Sequence, residues 1–124
     1  MSVLIDTSVL IDYLLGDARA ARALDAHTHR AISAVTWLEA MAVAPEERRE
    51  STRAFLRSFE RLSINEAIAD EALRLMQAHE GLRFHRALNW ATARSNQLVF
   101  VTAEAEHLPP RDDGVAVPYR RAAG

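Results

Sequence analysis

The chain has no cysteine and no lysine among its 124 residues, and its four glycines lie far apart. Without cysteine there is no disulfide framework, no thiolate metal site and no thiol nucleophile, and a reducing compartment is permitted. Dispersed glycines exclude a phosphate-cradling loop and a dinucleotide-binding turn. Ser8 and Ser33 lack the flanking glycines of a nucleophile elbow, so a hydrolase triad has no support. No apolar run approaches the length of a membrane span. The opening apolar segment has no basic leader and is broken by Asp6 and Asp12, so the expected location is the cytoplasm, with no membrane partner.

With 49% apolar residues, the chain has enough material for one domain with a real core and too little for two; a single domain over 1–124 is expected, with a frayed tail from about 118 onward. The net charge of −2 means that any nucleic-acid binding must rest on a local basic patch. Arg48, Arg49, Arg53, Arg57 and Arg61 recur along one segment, with Arg83, Arg86 and Arg94 further on. Glu46, Glu47, Glu50 and Glu60 are interleaved with the first group, a pattern that favours an ion-paired, solvated helix face over a phosphate-binding stripe.

Apolar periodicity alternates between strand and helix. Val3 to Ile5 read as a short buried strand, and Val9, Leu10, Tyr13 and Leu14 then recur at helical spacing. Asp17 caps a helix reaching His27, and Arg30 to Ser33 form a second strand. Ser33 or Thr36 opens a helix closed by Pro45, and a further helix from Glu46 to about Arg61 buries Phe55, Leu56, Phe59 and Leu62. Leu62 to Ile64 read as a third strand. Asn65 caps a helix burying Ile68, Ala72, Leu75 and Met76, which Gly81 ends. A helix from His85 to Arg94, a strand from Leu98 to Thr102, a loop around Pro109, Pro110, Asp112, Asp113 and Gly114, and an edge strand at Val115 to Val117 complete the chain. Such alternation implies a mainly parallel sheet covered on both faces.

In a sheet of that kind ligands sit beyond the carboxyl ends of the strands, where Asp6 and Glu104 both fall. Asp6 either faces such a crevice or caps the helix that follows it. Glu39 is an isolated acid in a mainly apolar stretch, either drawn into a site or turned outward from its helix. Hard divalent ions need several carboxylate oxygens converging on one point. Ions held in that way polarise a phosphodiester and activate water against it.

The segment Ile5-Asp6-Thr7-Ser8-Val9-Leu10-Ile11-Asp12-Tyr13-Leu14 resembles the opening of PIN domains, the nuclease fold of many VapC-type toxins of toxin–antitoxin systems. The resemblance continues through Ser33 to Met41, with Glu39 in the acid position, through Phe84 to Ala93, and through Leu98 to Glu104. It implies a three-layer α/β/α fold and metal-dependent cleavage of RNA. It further implies magnesium or manganese as cofactor, and homodimerisation with a small antitoxin as partner. Carried over by position, Asp6, Glu39 and Glu104 are the catalytic acids and metal ligands, and Thr7, Ser8 and Thr102 support them by hydrogen bonds. Asp12 supports the structure or a dimer surface, and Leu14, Leu15 and Trp37 are candidates for partner contacts.

The third acidic position departs from the family. Where an Asp opens the motif acid-Ala-Leu, this chain has Arg86-Ala87-Leu88. At about 5 Å from a divalent ion and an effective dielectric near 20, an arginine opposes binding by roughly 6 to 7 kcal/mol. Arg86 either points inward and donates to Asp6 and Glu39 in the metal's place, or swings outward to bind phosphate, with His85, Asn89 or Glu80 completing a weaker shell. The sequence therefore leaves two functions open: an endoribonuclease impaired at Arg86, and a degenerate module that binds RNA or a protein without cutting. A purely structural or regulatory homodimer is a third.

Overall fold

A computed structural model describes residues 2–108 and 114–121. Five strands run β1 (Val3–Ile5), β2 (Arg30–Ser33), β3 (Glu60–Leu62), β4 (Val99–Val101) and β5 (Val115–Ala116). They form one sheet in the order β3-β2-β1-β4-β5, every pairing parallel. Six helices connect and cover it: α1 (Thr7–Leu14), α2 (Ala18–Asp25), α3 (Ala34–Val43), α4 (Arg49–Leu56), α5 (Glu66–Ala78) and α6 (Phe84–Ser95).

The three layers follow from the two-residue period of the strands. Val3, Ile5, Ile32 and Val101 face one core with Val9, Leu10, Leu24 and Leu56 of α1, α2 and α4. Leu4 and Phe100 face the other with Ile68, Leu75, Ala87 and Trp90 of α5 and α6. Each fully buried Leu, Ile, Val or Phe contributes about 1.5–3 kcal/mol by leaving water. Leu4, Ile5 and Phe100 are wholly inaccessible, so the middle of the sheet is apolar on both faces.

Side-chain caps fix several helix starts: Asp17 accepts from the Arg19 backbone N–H, Ser33 from Thr36 and Asn65 from Ile68. The segment after Pro45 departs from expectation. A 3-10 turn at Glu46–Arg48 precedes α4, which stops at Leu56, so β3 begins two residues earlier than the pattern suggested. Arg57 is the C-cap, and Ser58 and Phe59 bond back to the carbonyls of Phe55 and Leu56. Phe59 still reaches the core from this turn, and Leu62 belongs to the strand. Met76 lies at the rim, 37% exposed, instead of in the core. Gly81 takes φ +86, a left-handed conformation that favours glycine, and the exposed His107 ring lies over its Cα.

Within the segment expected to fray, Tyr119 and Arg121 make specific contacts with the body of the domain. The Tyr119 hydroxyl donates to Asp12 at 2.7 Å, the Arg121 backbone N–H bonds to the Ala103 carbonyl, and the Arg121 guanidinium grips Asp12. The loop expected at Pro109, Pro110, Asp112 and Asp113, and the last three residues, lie outside the described residues.

Candidate functional site

The parallel sheet brings the carboxyl ends of β1 and β4 side by side, and Asp6 follows β1 directly. Its backbone N–H bonds to the Val101 carbonyl at 2.8 Å, and its φ and ψ are those of an N-cap residue. Its side chain, however, makes no capping bond. The buried carboxylate, 2% exposed, instead accepts from Asn89 Nδ2 (2.9 Å) on Oδ1 and from Ser8 Oγ (2.9 Å) and Thr102 Oγ1 (2.7 Å) on Oδ2. Three donors from three elements therefore hold a charge that burial alone would disfavour.

The network extends outward on both sides. Thr7 Oγ1 donates to Glu39 Oε1 at 2.9 Å and accepts from Asn89. Because that single hydroxyl proton goes to Glu39, Thr36 is the donor in the 2.8 Å contact between the two threonines. Thr36 and Glu39 share one face of α3 through their three-residue spacing. On the other side Ser8 Oγ accepts from the Ala103 backbone, and Thr102 Oγ1 accepts from the Glu104 backbone. Asn89 also takes a hydrogen bond from buried Ser33.

A cleft of about 180 Å³ opens above this network, lined by Asp6, Thr7, Ser8, Ile11, Glu39, His85, Arg86, Glu104 and Arg121. The three acids singled out from the sequence thus border one space, and Thr7 and Ser8 border it with them. Asn89 and Thr102 lie beneath, holding Asp6. Glu80 is exposed and outside the lining.

Arg86 is buried and points inward. It pairs with Glu104, so neither alternative left open by the sequence, inward on Asp6 and Glu39 or outward to bind phosphate, is the one observed. Its Nε has no hydrogen-bond partner among the described residues. Glu104 is held a second time by Arg121 Nη1 at 2.6 Å, while Arg121 Nη2 donates to the Ser8 carbonyl at 2.8 Å and to Asp12. Sequence reasoning missed Arg121 by assigning it to a frayed end. The available signal was the aromatic Tyr119 set in a tail of small and basic residues, since a buried or half-buried ring anchors its neighbours.

As a metal site the donor set does not fit. Among the described residues no three His, Asp or Glu side chains converge on one point. Both Glu104 oxygens face guanidinium groups, and Asp6 spends its oxygens on uncharged donors. Three carboxylates and two guanidiniums nearly balance the charge within the cleft.

The family model for the PIN domain matches residues 3–108. The chain belongs to the PIN domain family. Among curated proteins there is no match. Among solved structures this PIN chain is similar to one from a toxin–antitoxin complex of Klebsiella pneumoniae. That chain is 33% identical, with a TM-score of 0.89, over 97% of this chain and 100% of that one. It is also similar in fold to a chain of DNA-bound VapBC from Salmonella typhimurium, at 18% identity and TM-score 0.76, over 93% and 95% of the two chains. FitAcB from Neisseria gonorrhoeae follows at 19% and 0.69, over 85% and 89%.

Proposed function

We propose that this PIN protein is the toxin of a VapBC-type toxin–antitoxin pair and that RNA is its target, engaged at a phosphodiester in the cleft of Asp6, Glu39 and Glu104. One observation carries the reading: Asp6, at the carboxyl end of the central strand, gives up its capping role and is held by Ser8, Asn89 and Thr102 under a cleft that Glu39 and Glu104 share. A small antitoxin and a second copy of the chain are the proposed protein partners. The likeness to a toxin–antitoxin complex supports the first.

Magnesium or manganese is the cofactor such acids would take, supplying Lewis-acid activation of the phosphodiester. The residues as they stand do not accommodate it, because Arg86 and Arg121 occupy Glu104. The proposal for the natural chain therefore rests on its own groups. Asp6 and Glu39 fix the floor through Asn89 and Thr7, and a phosphate oxygen competes with Glu104 for the guanidiniums of Arg86 and Arg121. A second reading, a PIN module that binds RNA or protein without cutting, is favoured by the pairing of buried Arg86 with Glu104.

The deciding experiment incubates purified full-length protein, free of antitoxin, with a mixed pool of labelled RNAs, with manganese or with chelator. The natural chain is compared with Asp6→Asn, Arg86→Asp and the double variant. Cleavage that appears with Arg86→Asp and requires both manganese and Asp6 supports the nuclease reading of the cleft. No cleavage by any folded variant overturns it in favour of the binding module.

A further inference from the structure

Away from the cleft, the opposite side of α3 borders a larger cavity of about 490 Å³, lined by Trp37, Arg53, Leu56, Arg57, Phe59 and Arg61. Its volume lies within the range of small-molecule and nucleotide sites, about 300–1,000 Å³. The sequence pattern pointed to arginines neutralised by interleaved glutamates, and the structure does not bear this out. Arg53 meets Glu50 only at 3.7 Å, and Arg57 and Arg61 have no carboxylate partner among the described residues. Glu60 borders a different hollow, at the amino end of the sheet. Three guanidiniums, two of them unpaired, therefore converge on one concavity in a chain of net charge −2.

The floor of that cavity is aromatic. Arg61 sits over the Trp37 ring with 4.7 Å to the centroid and Arg53 over the same ring at 5.9 Å, with Phe59 beside them in the lining. A guanidinium held over an indole adds a planar, π-bearing cation to the aromatic surface, the combination that accepts a nucleobase by stacking and a phosphate by N–H donation. Carboxylates of a peptide would satisfy the charges but leave the stacked faces without a use.

We propose that the Trp37–Arg53–Arg57–Arg61 cavity is a second nucleic-acid site that holds a single-stranded RNA by base stacking and phosphate contacts, apart from the acid cleft. The inference rests on the proposal that RNA is what the cleft acts on. Helix α3 joins the two places: Glu39 lines the cleft and Trp37 lines the cavity. One strand can lie in the cleft while its continuation is gripped along the same helix.

The test measures binding in chelator on the Asp6→Asn background, so that no cleavage intervenes and failure here leaves the cleavage assay untouched. The probe is a short single-stranded RNA, and the readout is tryptophan fluorescence. Trp90 is buried and outside the cavity, so Trp37 carries the signal and Trp37→Phe removes it. Quenching on titration is expected, with a log–log salt slope between about 50 and 200 mM that falls by roughly 0.7 for each arginine removed. Arg57→Ala, at an exposed residue with no ion pair, and Arg57→Ala with Arg61→Ala should weaken binding stepwise, the pair by tenfold or more at low salt. Arg83→Ala, an exposed arginine outside the cavity, serves as control. Absence of quenching, an unchanged salt slope in folded variants, or displacement of RNA by an equally charged acidic peptide at the same concentration would each overturn the proposal. The last result would reassign the cavity to a protein partner.

Discussion

Asp6 and Arg86 carry opposite charges into the same cleft, and the two residues are stabilised in different ways. Asp6 is satisfied by neutral donors, so its removal orphans Ser8, Asn89 and Thr102 together. We expect Asp6→Ala to cost about 2–4 kcal/mol, read from the denaturant midpoint, and Asp6→Asn to cost less because its amide oxygen keeps part of the network. Among the described residues Arg86 pairs with Glu104 alone and leaves its Nε without an acceptor, so the desolvation of the buried guanidinium offsets part of its attraction to the half-buried carboxylate. Arg86→Asp should therefore remain folded. Manganese should not raise the melting temperature of the natural chain, whereas it should stabilise the variant by about 2.7 kcal/mol at a hundredfold excess over its Kd. Identical shifts for both proteins would show that Arg86 does not exclude the ion. The sequence made the substitution at position 86 visible, but not its partner: Glu104 rather than Asp6 follows from the direction in which α6 projects the side chain, which no local pattern encodes.

At the scale of elements, the last described segment acts as a clamp between α1 and the β4 end. Burial, and then the hydrogen bond to Asp12, push the Tyr119 phenol well above its ordinary value. A raised value means that the neutral form is favoured in the folded state. The stabilisation is complete below the ordinary phenol value of about 10 and disappears as pH rises through the higher folded one. An alkaline absorbance titration should show this phenol ionising late, together with loosening of the tail, and Tyr119→Phe should remove that step. At the acid end, hydrogen bonds from the Arg19 side chain and backbone lower Asp17 from 3.8 to about 2. The α2 cap is thus fully held above pH 3.8 and lost as pH falls through about 2, which amide-exchange measurements on α2 would register. Proton-exchange protection of α2 that persists unchanged below that window would contradict the assignment. Helix starts with side-chain caps were legible, as at Asp17 and Asn65. The end of α4 was not, because Arg57 and Ser58 carry no stop signal and the turn is set by Phe59 reaching the core.

Over the whole molecule, the order β3-β2-β1-β4-β5 was legible as a class and not as an arrangement. Short β-branched runs announced parallel strands, while the adjacency of β1 to β4 depends on contacts nearly a hundred residues apart. The two cores lie on opposite faces of the sheet, and Leu4 and Phe100 are the sheet's fully buried contribution to the α5–α6 side. Phe100→Ala should cost about 3–5 kcal/mol and Leu4→Ala about 2–5 kcal/mol in global unfolding, with both cores melting together. A separate transition for the α5–α6 side would refute that coupling.

The hydrogen bond between Asp6 and Thr102 spans 96 positions, and the grip of Arg121 on Asp12 spans 109. During synthesis the amino-terminal acid emerges long before the strand and the guanidinium that complete its surroundings. The cleft is therefore incomplete on any nascent chain from which Thr102 and Arg121 have yet to emerge, and its closure belongs to the late, long-range steps of folding.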